Sequence, residues 1–289
     1  MAAMRAPASP PEPPIEMPPA RTVRISGRGE FFLRDTGGDG PVVMLLHGWM
    51  ATADLNWWAV YRDLAEAGYR VLAIDERGHG RGLRPLAPFR LADCAADAAA
   101  VLIELDAAPA LVVGYSMGGA IAQLVARDHD EVASGVVLSA TAQHWQDART
   151  RHAFRGLGAL GLMLSLAPRA TWRAGLRRAG LSREERTAWL LSELMRHSAR
   201  DIAEAGRELG RFDSRPWLAS VRPPISVLVT TRDELVPVRK QRALAAAANA
   251  IVFDAPVTHL EVGWNATDYN VQLLAALSAV REHDAARAA

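Results

Sequence analysis

An apolar run, Leu111-Val112-Val113, ends in Gly114-Tyr115-Ser116-Met117-Gly118 and passes at once into the helix-compatible run Ala120-Ile121-Ala122-Gln123-Leu124-Val125-Ala126. A strand that becomes a helix through so short a turn leaves the central residue strained and exposed. Glycine is needed on both sides of it, where side chains would collide. Gly114 and Gly118 fill those places and Ser116 the centre. The hydroxyl then points away from the sheet above a helix N-terminus, where a nucleophile is reachable and a developing anion is stabilised. Taken alone, the pentapeptide fits a glycine-rich turn with an incidental serine equally well.

Other apolar runs place this turn in a larger pattern. Val42–Leu46, Tyr69–Ile74, Ala110–Val113, Gly135–Ser139, Ile225–Thr231 and Ala250–Phe253 read as strands. The continuous runs among them suit strands buried on both faces of a parallel sheet. Thr22–Ser26 and Glu30–Arg34 alternate around Gly27-Arg28-Gly29 and suggest a hairpin. Helices are expected over Asp54–Ala67, Leu91–Leu105, Val238–Ala248 and about Trp264–Glu282. Strands alternating with helices specify an α/β fold, a mostly parallel eight-stranded sheet with helices on both faces. The alternation fails between Gln143 and Pro223, where only helical stretches are found. Ala142–Arg215 carries 14 Arg against 8 Asp plus Glu.

This predicts a core of residues 21–142 and 221–289 with an all-helical cap inserted at 143–220. Within the cap, Leu157–Leu164 either packs on the core or lines a substrate entrance, and the arginines either attract an anionic substrate or form a solvated face. Residues 1–20, rich in Pro, Ala and Glu, read as a disordered leader without the apolar stretch of a secretory signal.

Composition removes several function classes. A formal net charge of +1 over 289 residues gives no general pull toward nucleic acid. No apolar run approaches the length of a membrane span, so stable membrane insertion is not expected. The single Cys94, read as a small buried residue of a helix, excludes an internal disulfide. A reducing cytoplasmic setting fits, and neither a metal site nor an organic cofactor is indicated.

A serine hydroxyl needs a base, and the base an orienting acid. Open α/β sheets place their sites beyond the C-terminal ends of the strands. Ser116, Asp233 and His259 each follow such a strand, in the order Ser, Asp, His. Glu234 beside Asp233 is the alternative acid, although the strand end and Pro237 favour Asp233.

These residues carry a resemblance. From about Thr22 to Glu282 the chain resembles the α/β-hydrolase fold superfamily in its cap-bearing serine hydrolase/esterase branch, most weakly in the cap. Gly114–Gly118 matches the family's nucleophile elbow and His47-Gly48-Trp49 its oxyanion motif. Asp233–Pro237 matches its acid motif, His259 its base and Asp75–Gly80 a loop common in this branch. The resemblance implies that Ser116 attacks an acyl carbonyl, His259 carries the proton and Asp233 orients the imidazole. The N–H groups of Met117 and Trp49 would bind the oxyanion.

His47 would buttress the oxyanion loop rather than act as a second base, and Asp75 and His79 would hold the glycine-rich loop. Trp57, Trp58, Tyr115, Leu160 and Met163 are candidates for the substrate pocket, although Trp57 or Trp58 could equally be core. Serine at the elbow departs from the aspartate used by epoxide hydrolases and haloalkane dehalogenases and implies acyl chemistry. The leading expectation is hydrolysis of a carboxylic ester or similar small, apolar acyl substrate. Alternatives are a carbon–carbon bond hydrolase, a cofactor-free haloperoxidase or perhydrolase and, from another class, a slow or non-catalytic small-molecule receptor. Oligomeric state stays open.

Overall fold

The structure, a computed structural model, describes residues 11–147, 150, 152, 154–181, 186–263 and 266–288. Eight strands form one sheet: β1 (Ala20–Ile25), β2 (Gly29–Asp35), β3 (Val42–Leu46), β4 (Arg70–Ile74), β5 (Ala110–Tyr115), β6 (Ala133–Ser139), β7 (Ile225–Thr230) and β8 (Ile251–Ala255). Their order is β1-β2-β4-β3-β5-β6-β7-β8. Strand β2 pairs antiparallel with both β1 and β4, and every other pairing is parallel. Val43 to Leu46 are fully buried, which explains why β3 reads as an unbroken apolar run. Strand β8 lies at the edge, and there Ile251 and Val252 are exposed.

Helices cover both faces. On one pack α3 (Leu91–Glu104), α4 (Met117–Asp128) and α9 (Val238–Ala247), with Cys94 buried among them. On the other pack α1 (Ala53–Trp57), α2 (Tyr61–Glu66) and α10 (Ala266–Ala288). The single helix expected over Asp54–Ala67 is therefore two short ones. The break frees the Ala59 carbonyl to accept from Asn270 Nδ2 of α10 at 2.8 Å. Thr52 caps α1, its hydroxyl accepting from Leu55 N at 3.0 Å. Trp264, expected to open the last helix, lies outside the described residues.

Residues 1–10 also lie outside them, but the end of the expected leader is held. The carbonyls of Pro18 and Pro19 accept from Arg34 and from Asp35 N, and Met17 packs against the second face.

The insertion between β6 and β7 carries α5 (Leu157–Leu166), α6 (Pro168–Arg178), α7 (Thr187–Leu194) and α8 (Ala199–Arg211). Its neck is an isolated bridge between His144 and Asp213. Leu218 packs in the first face of the core, together with Ala205, Leu209 and Phe212 of the insertion. The cap has a small core of its own, where Trp172, Leu176, Trp189 and Ile202 meet Trp58. No helix among the described residues is long and apolar enough to cross a membrane.

Candidate active site

Ser116 sits between β5 and α4 with φ 54° and ψ −112°. A positive φ is strained for a residue with a side chain, and here it is held from every direction. Its N–H donates to Ser139 O at 2.9 Å, and its carbonyl accepts from Thr141 Oγ1 at 2.8 Å. The flanking glycines are steric necessities. A Cβ on Gly114 would lie 2.2 Å from Gly118 O, and one on Gly118 would lie 2.1 Å from Leu46 O. Met117 opens α4, so its N–H is one of those a helix start leaves without an intrahelical acceptor. The loop after β3 lies against the serine. A Cβ on Gly48 would be 3.3 Å from Ser116 Cβ, and Gly48 N donates to Asn56 Oδ1 at 2.9 Å.

The loops after β7 and β8 bring the other two residues to the same edge. His259 Nε2 lies 3.2 Å from Ser116 Oγ, and its Nδ1 lies 2.7 Å from Asp233 Oδ2. Asp233 is saturated with donors. Oδ1 accepts from Leu235 N and Val236 N at 2.8 Å each, and Oδ2 also accepts from Thr230 Oγ1 at 2.8 Å. Glu234 is exposed and turned to solvent, which separates the two acid candidates. The Tyr115 hydroxyl donates to the His259 carbonyl, so the residue before the serine steadies the loop carrying the imidazole.

A family model for the alpha/beta hydrolase fold matches residues 41–159. A non-heme chloroperoxidase of Streptomyces lividans is 39% identical over 122 residues, covering 41% of this chain and 44% of that protein. A bifunctional esterase/perhydrolase of Acinetobacter calcoaceticus is 39% identical over 114 residues, covering 38% of this chain and 41% of that protein. The solved structure of a hydrolase from Pseudomonas aeruginosa superposes with a TM-score of 0.76 at 23% identity, covering 89% of this chain and 98% of that one. Residues 41–159 resemble the alpha/beta hydrolase fold family, and the chain shares its fold with that solved hydrolase. The chain spans less than half the length of these two relatives.

The histidines near the serine divide by role. His47 spends both ring nitrogens on backbone, Nδ1 donating to Gly48 O at 2.8 Å and Nε2 accepting from Glu76 N at 2.9 Å. Burial lowers it to about 4, so it is neutral near pH 7 and has no nitrogen left to act as a base. His79 bonds within its own loop, Nδ1 to Arg77 O at 3.0 Å, and burial beside His47 lowers it to about 3. Asp75 ties that loop to α1, accepting from Ala53 N and Arg81 N at 2.7 Å each.

Glu76 next to it is fully buried, and burial together with the charge of Asp97 pushes its carboxyl well above its ordinary value of 4.5. A raised folded value means that stability present at acid pH is lost as pH rises from about 4.5 toward that value. Glu76→Gln carries no such term. Its stability relative to wild type should therefore improve with rising pH, by up to about 1.4 kcal/mol per pH unit. Urea unfolding of both proteins at acid and at alkaline pH checks this, and parallel pH responses would contradict it.

Ser116 and His259 open into a cavity of about 710 Å³ between core and cap, a size that suits small organic ligands. Its walls are mainly apolar and include Trp49, Phe154, Leu160, Trp172, Leu176 and Leu190. Of the candidate pocket residues, Tyr115 and Leu160 line this cavity, and Trp57, Trp58 and Met163 do not. Trp57 is fully buried in the core, edge-on to Tyr115. Trp58 meets Trp189 edge-on in the cap's core. Met163 is 50% exposed and faces outward. Leu157–Leu164 divides between the two expectations: Leu157 and Leu164 are buried in packing, whereas Leu160 lines the cavity.

The supports of the site were invisible to motif reading. Thr230 and Gln241 hold Asp233, Asn56 holds Gly48 and Thr141 holds Ser116. Only their position at strand ends or helix starts could have flagged them. Trp49 also reaches the cap, its indole N–H donating to Ile202 O at 2.9 Å.

Proposed function

We propose that this chain is a serine hydrolase acting on a carboxylic ester or related small, apolar acyl substrate. The observation that carries the reading is the relay from Asp233 Oδ2 through the His259 imidazole to Ser116 Oγ, 2.7 Å and 3.2 Å long, at the foot of an apolar cavity. With Nδ1–H held by Asp233, Nε2 is free to accept the serine proton as Oγ attacks the acyl carbon. The oxyanion accepts from the N–H groups of Met117 and Trp49. His259 returns its proton to the leaving alcohol, and water attacks the acyl-enzyme by the same relay in reverse. The mainly apolar cavity walls favour an uncharged, aliphatic or aromatic acyl group.

A second reading is favoured by the two relatives, named a chloroperoxidase and an esterase/perhydrolase. In it hydrogen peroxide replaces water as the acyl acceptor, and the product is a peracid. Turnover of short-chain p-nitrophenyl esters, with and without peroxide, tests both readings. Ester hydrolysis is expected without peroxide. Inert esters together with cleavage of a ring-fission diketone would move the assignment to carbon–carbon hydrolysis.

A further inference from the structure

Residues 155–180 contain five arginines and no acidic residue. They include α5 and α6, and the two helices have distinct inner and outer faces. Leu160, Trp172 and Leu176 point into the cavity. On the outside, Leu162, Met163 and Leu166 are 60%, 50% and 77% exposed and lie within one turn of each other on α5. Arg155, Arg169, Arg173, Arg177 and Arg178 are all exposed, and none has a side-chain hydrogen bond or ion pair among the described residues. Elsewhere in the cap Arg196, Arg200, Arg211 and Arg215 each pair with a carboxylate. Among the cap's described residues, five of the six unpaired arginines therefore lie on or beside the helices that carry the exposed apolar tip, the sixth being Arg207 on α8.

We propose that this face docks on an anionic phospholipid surface. Leu162, Met163 and Leu166 enter the interface, and the arginines around them meet lipid phosphates. A second copy of the chain fits poorly, because a two-fold contact would set arginine against arginine with no acid to pair them. Nucleic acid would leave the three apolar side chains without a partner. Because the inner faces of the same two helices line the cavity, docking holds the cavity's cap wall against the bilayer. This is where a poorly soluble acyl substrate would partition. The surface goes beyond the proposed hydrolysis, and its test needs no turnover.

The test is co-sedimentation with vesicles of phosphatidylglycerol and phosphatidylcholine in equal parts, and with phosphatidylcholine alone. Binding is expected to the anionic vesicles, to be at least about 10-fold weaker on neutral ones, and to fall at about 0.5 M salt. Arg169→Gln/Arg173→Gln/Arg177→Gln should weaken it by about 100-fold. Leu162→Ser/Leu166→Ser should weaken it while every charge is kept. All substituted side chains are exposed, and unchanged urea midpoints would show the variants folded. Absent binding, equal binding to neutral vesicles, or an arginine variant that binds like wild type would overturn the proposal. So would a solution dimer that the leucine variant dissolves.

Discussion

Asp233→Asn is expected to lower kcat/KM for an ester by about 10⁴ while the fold stays intact. The reason lies in which oxygen does what. Oδ1 accepts from Leu235 N and Val236 N, so the asparagine carbonyl takes that place and its amide NH₂ takes the place of Oδ2. The NH₂ then donates to His259 Nδ1, where the carboxylate accepted. The imidazole switches tautomer, Nε2 carries the hydrogen facing Ser116 Oγ, and it cannot take the serine proton. Ser116→Ala should cost more, on the order of 10⁶, and adding His259→Ala should cost little further because the two act as one unit. Steady-state kinetics alongside thermal melts checks this. A loss below about 10-fold for Asp233→Asn, or additive losses in the double variant, would count against the relay.

Gly118→Ala should be among the most damaging single-methyl additions in the chain. Its Cβ would lie 2.1 Å from Leu46 O and 2.8 Å from His47 O, both backbone atoms at the end of β3. No side chain can swing away to make room, so β3 and α4 must separate. The loop carrying Trp49 then leaves Ser116. A destabilisation of about 3 kcal/mol or more is expected, with activity lost even in the fraction that folds. Gly158→Ala is the matched control. It adds the same methyl within helix α5 where nothing lies within 4 Å, and should be neutral or stabilising by up to about 1 kcal/mol. Urea denaturation of the two variants measures both, and equal midpoints would contradict the steric argument.

The sheet and the three clustered residues were legible in the sequence for one physical reason. Strands buried on both faces leave long apolar runs, and parallel pairing puts all their C-terminal ends on one edge. Val42–Leu46 and Ile225–Thr231 declare themselves in this way, and whatever follows them must meet. Where burial is one-sided or broken, the reading blurs. The strand read at Ala250–Phe253 runs Ile251–Ala255, at an edge where side chains face solvent. The helix read over Asp54–Ala67 continues its apolar spacing across Trp58–Val60, so nothing local marks the break that Asn270 of a distant helix exploits. The cavity was the least legible part. Trp57 and Trp58 are neighbours in sequence, yet one enters the core and the other the cap, because each face is set by elements far along the chain. Met163 sits in the same apolar run as Leu160 and faces the opposite way.

The most direct measurement is mass-spectrometric mapping of a fluorophosphonate adduct. A phosphonate takes the place of the acyl group, and only a serine activated by a neighbouring base reacts at a useful rate. A single adduct is expected on the peptide bearing Ser116, lost in Ser116→Ala and strongly slowed in His259→Ala. An unlabelled wild-type protein, or equal labelling of Ser116→Ala, would contradict it.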